Sequence, residues 1–559
     1  MKRMTGAELT IRLLERQGIT CIAGIPGGTN LPLYDALSRS TRIRHVLARH
    51  EQGAGFIAQG MARSSGCPAV FFATSGPGAT NTLTALADAK MDSIPIICIT
   101  GQVSRPMIGT DAFQEVDIYG MSVPVTKHNY LARTVEELLH IIPEAFSIAS
   151  SDRPGPVLID IPKDVQMGVL EIAELPPVGM PEAPVAPDPA LVRQAADLIN
   201  AAQCPMLLLG GGANHPDTAA IALSLVEGCG IPAAMSLRGL GVIPLEHALS
   251  LGMLGMHGAR STNMLLEECD LLIVVGARFD DRATGRIDCF CPKAKVIHID
   301  TDASEVGKLR AVEAGIIADA RLTLEALLPF LGMKRRKPWL DRVACLKATH
   351  GMAVKDSDNP CSPYGIIRCA ASLTDSSAII ATDVGQHQMR VAQVFPFTRP
   401  HQWLTSGGLG TMGFGLPAAI GAALQHPEAT VLCFSGDGSL LMNIQELATA
   451  AEQQANVKII LSNNGGLGLV QQQQELFFGG RIFASEYTGV VDFPSIARGF
   501  GIPAINLNLS ASPEKDLEKA LHSRGPCLVE VNIRAEDKVF PMVPPGAANI
   551  EMIEGECHA

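Results

Sequence analysis

Short, continuous apolar runs recur along the chain, each bounded by glycine, proline or a polar pair. They are AVFFAT (69–74) and IPIICIT (94–100), then MLLLGGG (206–212), LLIVVGA (271–277) and KVIHID (295–300), then SAIIATD (377–383), TVLCFSGDG (430–438) and VKIILSNN (457–464). Amphipathic segments of helical length separate them. Runs without polar alternation, spaced by helices, predict parallel strands buried on both faces. At the N-terminus Thr5 and Glu8 form a capping box, which predicts a first helix closing near Gly18. Two stretches interrupt the alternation. Residues 174–189 (ELPPVGMPEAPVAPDP) carry prolines that block both helix and central strand. Residues 334–363 are basic and then polar, with a helical piece over 339–350. These cuts leave blocks of 1–175, 185–332 and 360–535, and a tail over 536–559. The expected fold class is α/β, with three doubly wound parallel-sheet domains.

Composition narrows the picture. A chain of 559 residues, 47% hydrophobic and 18% charged, can bury several cores. Its formal charge of −12 and the lack of a basic stripe argue against nucleic-acid binding. The 14 cysteines form no CxxC pair, the nearest two being Cys289 and Cys291, which fits reduced thiols in a cytosol. The longest uncharged run, 404–425, is studded with glycine and holds Pro417, so it reads as a loop entering a buried helix, not a membrane span. Lys2 and Arg3 are followed by no apolar targeting run. A cytoplasmic protein with no membrane partner is expected.

The sharpest chemical signal is Gly436-Asp437-Gly438 at the end of one strand and Asn463-Asn464 at the end of the next. Residues 439–454 between them read as a crossover helix, and a right-handed β-α-β unit brings two such strand ends together. A carboxylate and an amide oxygen in one crevice suit Mg2+, which keeps positions open for phosphate oxygens. A lone GDG would be no more than a strand-end turn with a capping Asp; the asparagine pair argues against that. A second signal is Glu51, which opens a segment of small residues (GAGFIAQGMA) into which a flat ring could pack. Alone, Glu51 reads first as an N-terminal-turn glutamate favoured by the helix dipole; beside GDG and NN that order reverses. Gly210-Gly211-Gly212 lacks the full dinucleotide fingerprint.

GDG followed by NN resembles the thiamine-diphosphate signature, and the resemblance extends over nearly the whole chain. GIPGG (24–28), RHEQGAG (49–55), TSGPGATN (74–81), GTDAFQE (109–115), RPGPV (153–157) and IPKDV (161–165) look like the first domain of acetohydroxyacid synthases. GMLGMHG (252–258) and GARFDDR (276–282) are similar to its flavin-binding middle domain, and DVGQHQM (383–389) and GGLGTMGFGLPAAIG (407–421) to its diphosphate domain. The resemblance implies thiamine diphosphate, Mg2+ and a structural, non-redox FAD. It implies that Glu51 bonds the aminopyrimidine N1′ and that Phe113, Gln114 and Lys163 line the substrate side. Gly385, Gln386, His387, Gly436, Gly438, Ser439 and Leu467 would surround the diphosphate. The Gly410 carbonyl would receive the 4′-amino group, with Met412 as the apolar wedge bending the cofactor. Asp437, Asn464 and the Gly466 carbonyl would hold the metal. FAD would contact Arg153, Gly211, His257, Arg278, Asp280, Arg282, Asp300 and Asp319. By composition alone, RFDDR is a solvated charged loop.

The family implies an enzyme that joins two 2-keto acids with loss of CO2, as a homodimer with shared active sites. A bacterial, isozyme-I-like enzyme with a small regulatory subunit is expected from the glutamine tract Gln471–Gln474 and the missing transit peptide. Three departures stand out. Gly465 and Gly466 replace acidic or small residues, which predicts a looser loop. Phe477-Phe478-Gly479-Gly480 replaces a more polar run, and Gln473 stands where most members carry a tryptophan. The rivals are a flavin-linked pyruvate oxidase and a catalytically inactive assembly subunit.

Overall fold

The computed structural model describes residues 2–333, 336–352, 354 and 356–555. Three six-stranded sheets, parallel throughout, carry the fold. The first runs, in spatial order, Arg44–Leu47, Cys21–Gly24, Ala69–Ala73, Ile96–Gln102, Val157–Pro162, His128–Leu131. The second runs Ser250–Met253, Ala233–Met235, Pro205–Leu209, Leu271–Val275, Lys295–Asp300, Ala314–Ile317. The third runs Trp403–Leu404, Ile379–Thr382, Val431–Gly436, Val457–Asn463, Cys527–Asn532, Ala504–Asn506. The sheets are α/β and doubly wound. In each, the chain first builds outward to one side and then crosses to the other, leaving a crevice at the carboxyl ends of the two strands where it reverses.

Local rules explain the elements. Thr5 Oγ1 accepts from the Glu8 amide and Glu8 returns the bond, so the helix Gly6–Arg16 starts at the capping box. Prolines keep 174–188 extended until Pro189 opens the helix Pro189–Ala201. The uncharged run passes through an irregular loop into the helix Gly415–Gln425, whose first nine residues are buried. This helix lies against Glu51–Ser65 at close range. A Cβ on Gly60 would sit 2.0 Å from the Ala418 carbonyl oxygen, and one on Gly421 2.0 Å from that of Ile57. One expectation fails. The crossover after Asp437 is two helices, Asp437–Met442 and Glu446–Gln453, not one. Asn443 breaks it by leaving helical geometry and donating to the Gly413 carbonyl at 2.6 Å. No helix among the described residues is long and apolar enough to cross a membrane.

The third sheet sits between two cores. Ile379, Ala381, Val431 and Cys433 pack into a core shared with the first sheet, through Phe71 and Cys98. Ile380, Leu432 and Phe434 point the other way, into a core shared with the second sheet through Leu207 and Ile273. Alternation along a strand thus assigns successive residues to different neighbours.

A buried charge cluster ties the same three parts. Arg63 Nη2 meets Asp88 Oδ1 at 3.0 Å and Asp92 Oδ2 at 2.9 Å, and Arg238 Nη1 meets Asp92 Oδ2 at 3.1 Å. Asp92 also accepts from the Gly407 and Gly408 amides, at 3.0 and 2.8 Å. Asp88 accepts from the hydroxyls of Ser406 and Thr411. Burial alone would raise the Asp92 carboxyl, but Arg238, Arg63 and the amides bring it to about 2. Removing one member of a buried pair strands the other charge. Asp92→Ala is therefore expected to destabilise the protein by about 3–5 kcal/mol, measured by urea unfolding. A loss below about 1 kcal/mol would mean that the two guanidiniums find other partners.

Candidate active site

The reversal point of the third sheet lies between Ile379–Thr382 and Val431–Gly436. Loops from both strands form one cleft there. Its volume is about 170 Å3, and it is lined by residues from 384 to 533 only. Gly385, Gln386 and His387 form one wall and Gly436, Asp437, Gly438 and Ser439 another. Ser439 Oγ donates to the Val384 carbonyl at 2.8 Å, stitching the two loops. A Cβ on Gly436 would approach the His387 ring to 2.9 Å, so glycine is needed for the loops to meet. His387 is buried and its Nε2 has no partner among the described residues. Burial, aided by Arg390, pushes its pKa down to about 3, which keeps the imidazole neutral. Arg390 lines the same cleft, is buried, and leaves its Nε unpaired among the described residues. Two buried nitrogens without partners among the described residues fit an anionic ligand.

The strand ends Gly436 and Ser462 pair in register, which brings GDG beside the asparagines. The Asn464 amide lies 3.1 Å from Asp437 Oδ1 and 2.9 Å from the Gly466 carbonyl oxygen. With its nitrogen turned inward it donates to both. With its oxygen inward, three oxygens converge at a spacing that only a cation would hold. Octahedral Mg2+, with bonds of about 2.0–2.1 Å, sets neighbouring oxygens about 2.9 Å apart. Burial raises the Asp437 carboxyl to about 6 against several backbone amides, and a cation in the cradle would draw it back down. The glycine loop is well tied. The Gly466 amide donates to Asp437 Oδ2 at 2.9 Å, Leu467 to the Ser485 carbonyl at 2.8 Å, and Tyr487 to the Gly465 carbonyl at 2.9 Å. The looser loop expected from two glycines is instead laced to 485–487.

Met412, Leu467 and Gly410 complete the cleft wall, Gly410 at φ +72°. Of the glutamine tract, Gln471, Gln472 and Gln474 bond to Ser485, Val539 and Phe483. Gln473 alone of the four lines the cleft. Phe478 and Phe483 are exposed beyond it.

The residues expected from the first block stand apart from this cleft. Glu51 opens the helix Glu51–Ser65, capped by His50. Its Oε2 accepts from Asn81 Nδ2 at 2.9 Å, and a Cβ on Gly78 would lie 3.1 Å from its Oε1. Glu446 accepts from the Arg49 and His50 amides, at 2.9 and 3.1 Å, fixing the helix entry. Gln114 (φ +59°) packs over Gly76, and Phe113 beside it is 89% exposed. Lys163 starts a short helix after Val157–Pro162, half-buried at the same carboxyl edge.

In the second sheet the reversal falls between Pro205–Leu209 and Leu271–Val275. Gly212 donates to the Gly276 carbonyl at 2.9 Å, and Gly276 adopts φ +57°. A Cβ on Gly211 would meet only Arg238, at 3.3 Å. Arg153 reaches across to Asp302 at 2.9 Å and Glu305 at 3.1 Å. Asp300 ends one strand and Asp319 follows its neighbour, capping the helix Ala320–Leu327. His257 is buried with Nδ1 2.9 Å from the Pro541 carbonyl oxygen, and burial lowers its pKa to about 4. The RFDDR run is only partly solvated. Phe279 is buried edge-on to His298, Asp280 caps the turn Asp281–Thr284, and Arg278 is half-buried. Asp281 and Arg282 alone are exposed.

Residues without a role in the sequence reading include Asp383, Arg390 and Tyr487. Asp383 accepts from the Gly413 amide at 2.8 Å, and burial raises it to about 6. Arg390 follows His387 by three residues on the helix Gln386–Val394, a spacing that could have flagged it.

Comparison with known proteins matches this geometry. The thiamine pyrophosphate enzyme family accounts for residues 4–121 (N-terminal TPP binding domain), 192–327 (central domain) and 383–531 (C-terminal TPP binding domain). The chain is 58% identical to the acetolactate synthase isozyme 1 large subunit of Escherichia coli (strain K12), over 99% of this chain and 98% of that protein. It is 44% identical to the isozyme 2 large subunit of the same organism, over 99% and 100%. It is 42% identical to the chloroplastic acetolactate synthase 2 of Nicotiana tabacum, over 99% of this chain and 85% of that protein. The chain belongs to the acetolactate synthase large-subunit family of thiamine pyrophosphate enzymes.

Proposed function

We propose that the chain is a thiamine-diphosphate-dependent acetolactate synthase. It decarboxylates pyruvate and joins the two-carbon unit to a second 2-keto acid, the first common step of branched-chain amino-acid synthesis. The observation that carries this reading is the cradle of Asp437, Asn464 and Gly466 beside the unpaired His387 and Arg390 nitrogens. Bound thiamine diphosphate supplies the carbanion-stabilising chemistry. The chain's own residues then have simple tasks. Asp437 Oδ1, the Asn464 amide oxygen and the Gly466 carbonyl would hold Mg2+, which would neutralise the charge of the diphosphate. Gly385, Gln386, His387, Gly438, Ser439 and Leu467 enclose it, and Met412 and Gly410 set the ring side. Glu51 holds a proton at the aminopyrimidine N1′, and Phe113, Gln114 and Lys163 face the substrate.

Glu51 does not wall its own chain's cleft, which supports a homodimer with each site made from both copies. In this reading residues 1–175 supply the pyrimidine side, 360–535 the diphosphate side, and 185–332 the FAD. The paired glycine loops at the second reversal point and Arg153 beside 300–319 suit an extended dinucleotide, with Gly211, His257, Arg278, Asp280, Arg282, Asp300 and Asp319 around it. The flavin is structural, because the carboligation exchanges no electrons. The relatives' designation as large subunits supports a small regulatory partner in a bacterial cytoplasm.

Pyruvate assayed with thiamine diphosphate, Mg2+ and FAD, each omitted in turn under anaerobic conditions, is expected to yield acetolactate only when all are present. Acetate formation that follows flavin reduction would favour an oxidase instead, and no CO2 release would favour an inactive assembly subunit.

Glu51→Gln is expected to keep cofactor binding while slowing hydrogen–deuterium exchange at the cofactor C2 by at least ~100-fold, the scale of a lost proton-transfer group. An unchanged exchange rate would remove Glu51 from the mechanism.

Gln473 bears on acceptor choice. A flat apolar side chain there would pack against the extra methyl of 2-ketobutyrate, a difference of roughly 1–3 kcal/mol. The glutamine amide offers no such face, so acetolactate is the expected main product. Gln473→Trp should raise the acetohydroxybutyrate-to-acetolactate ratio about tenfold in mixed-substrate competition. A wild-type ratio already strongly favouring acetohydroxybutyrate would assign the choice to another residue.

A further inference from the structure

We propose that Glu530 is a positioning residue for the cation cradle and acts through Asn463. The inference rests on the reading of Asp437, Asn464 and Gly466 as a divalent-cation site. Adjacent asparagines end the strand Val457–Asn463, and their side chains do opposite things. Asn464 turns toward Asp437 and the Gly466 carbonyl. Asn463 turns to the neighbouring strand, where Nδ2 donates to Glu530 Oε1 at 2.7 Å. Its other end is also engaged, since Oδ1 accepts from the Gly465 amide at 3.1 Å.

Glu530 therefore fixes the polarity of that amide. Its two oxygens accept from amides on either side and the Gly465 N–H can only donate, so the Asn463 nitrogen faces Glu530 and the oxygen faces Gly465. That bond shapes the turn at Gly465, which takes φ +71°. The turn in turn delivers Gly466, whose amide donates to Asp437 Oδ2 at 2.9 Å and whose carbonyl enters the cradle.

The carboxylate is itself anchored. Its Oε2 accepts from Asn506 Nδ2 at 2.8 Å, on the next strand. Glu530 is 4% exposed and makes no ion pair among the described residues. A buried acid held only by two amides is costly, and glutamine would fill the same volume. Glutamine could not accept on both sides, though, and one asparagine would have to turn over. Turning Asn463 would set its NH2 against the Gly465 N–H and release the loop that carries Gly466. The need for two acceptors explains the acid.

The test uses full-length protein with thiamine diphosphate, with Mn2+ as the probe and free Mn2+ read by electron paramagnetic resonance. Glu530→Gln is expected to weaken Mn2+ binding roughly 10- to 100-fold, the scale of lost support behind a metal ligand. Asn463→Asp alone should also weaken it, because two carboxylates then face each other. Simple charge attraction would instead tighten it. The double variant Glu530→Gln, Asn463→Asp restores the polarity, since the glutamine NH2 donates to one aspartate oxygen and the Gly465 amide to the other. Mn2+ binding should return with it. A merely structural role for Glu530 would lower Tm in Glu530→Gln without moving Mn2+ affinity.

Asp437→Ala separates the two levels. If it binds Mn2+ like the wild type, the cation-site reading falls and this inference with it. If it loses Mn2+ while Glu530→Gln keeps wild-type affinity, the inference alone is overturned. So it is if Asn463→Asp tightens binding or the double variant fails to restore it. Should Glu530→Gln not fold, Asn463→Ala takes its place: weakened Mn2+ binding supports the relay, and unchanged binding overturns it.

Discussion

Two carboxylates on the helix Leu83–Asp92, buried against two guanidiniums, hold the parts of this protein in register. Asp88 and Asp92 belong to the first sheet's helices, Arg238 to the second sheet's loops, and the amides and hydroxyls of 406–411 to the third. Burying charge is tolerable only when each group is paired and hydrogen-bonded. The cluster meets that condition only if all three parts arrive in one arrangement. A loop that a glycine-rich sequence would leave to wander is thereby fixed, and Gly410 and Met412 are carried on it.

The same logic repeats around the cleft at smaller scale. Asp383 grips the Gly413 amide, Asn443 grips the Gly413 carbonyl, and Ser439 grips Val384. Each bond joins two segments that meet at the carboxyl edge of the third sheet. That edge is where side chains from many strands converge without being buried in the sheet itself, so polar groups can face one another across it. Parallel topology supplies the place, and these short polar ties supply the precision.

The two faces of the third sheet explain why it can serve as the centre. Residues one apart on a strand go into different cores, one shared with the first sheet and one with the second. The site at its edge is thus braced from both sides. The dependence also runs outward, because Glu446 from the third sheet's helices sets the entry of the helix that begins with Glu51.

The sequence by itself determined the class of fold, eight of the inner strands and the chemistry-bearing strand ends. Unbroken apolar runs require burial on both faces, and a strand–helix–strand connection has one handedness, so GDG and NN had to lie side by side. The capping box of Thr5 and Glu8 was equally legible, since its bonds span three residues. What spans long stretches of chain was not. Nothing local to Asn443 says that Gly413 will be near enough to break the crossover helix in two. Nothing local to Gly465 and Gly466 says that 485–487 will lace them down. Asn81 on Glu51, Arg390 beside His387 and Glu530 behind Asn463 are likewise contacts between residues whose patterns carry no trace of each other. Hydrophobic periodicity encodes which face is buried. Which polar groups meet is decided by the directions of side chains once the sheets have packed, and only the tertiary structure fixes those directions.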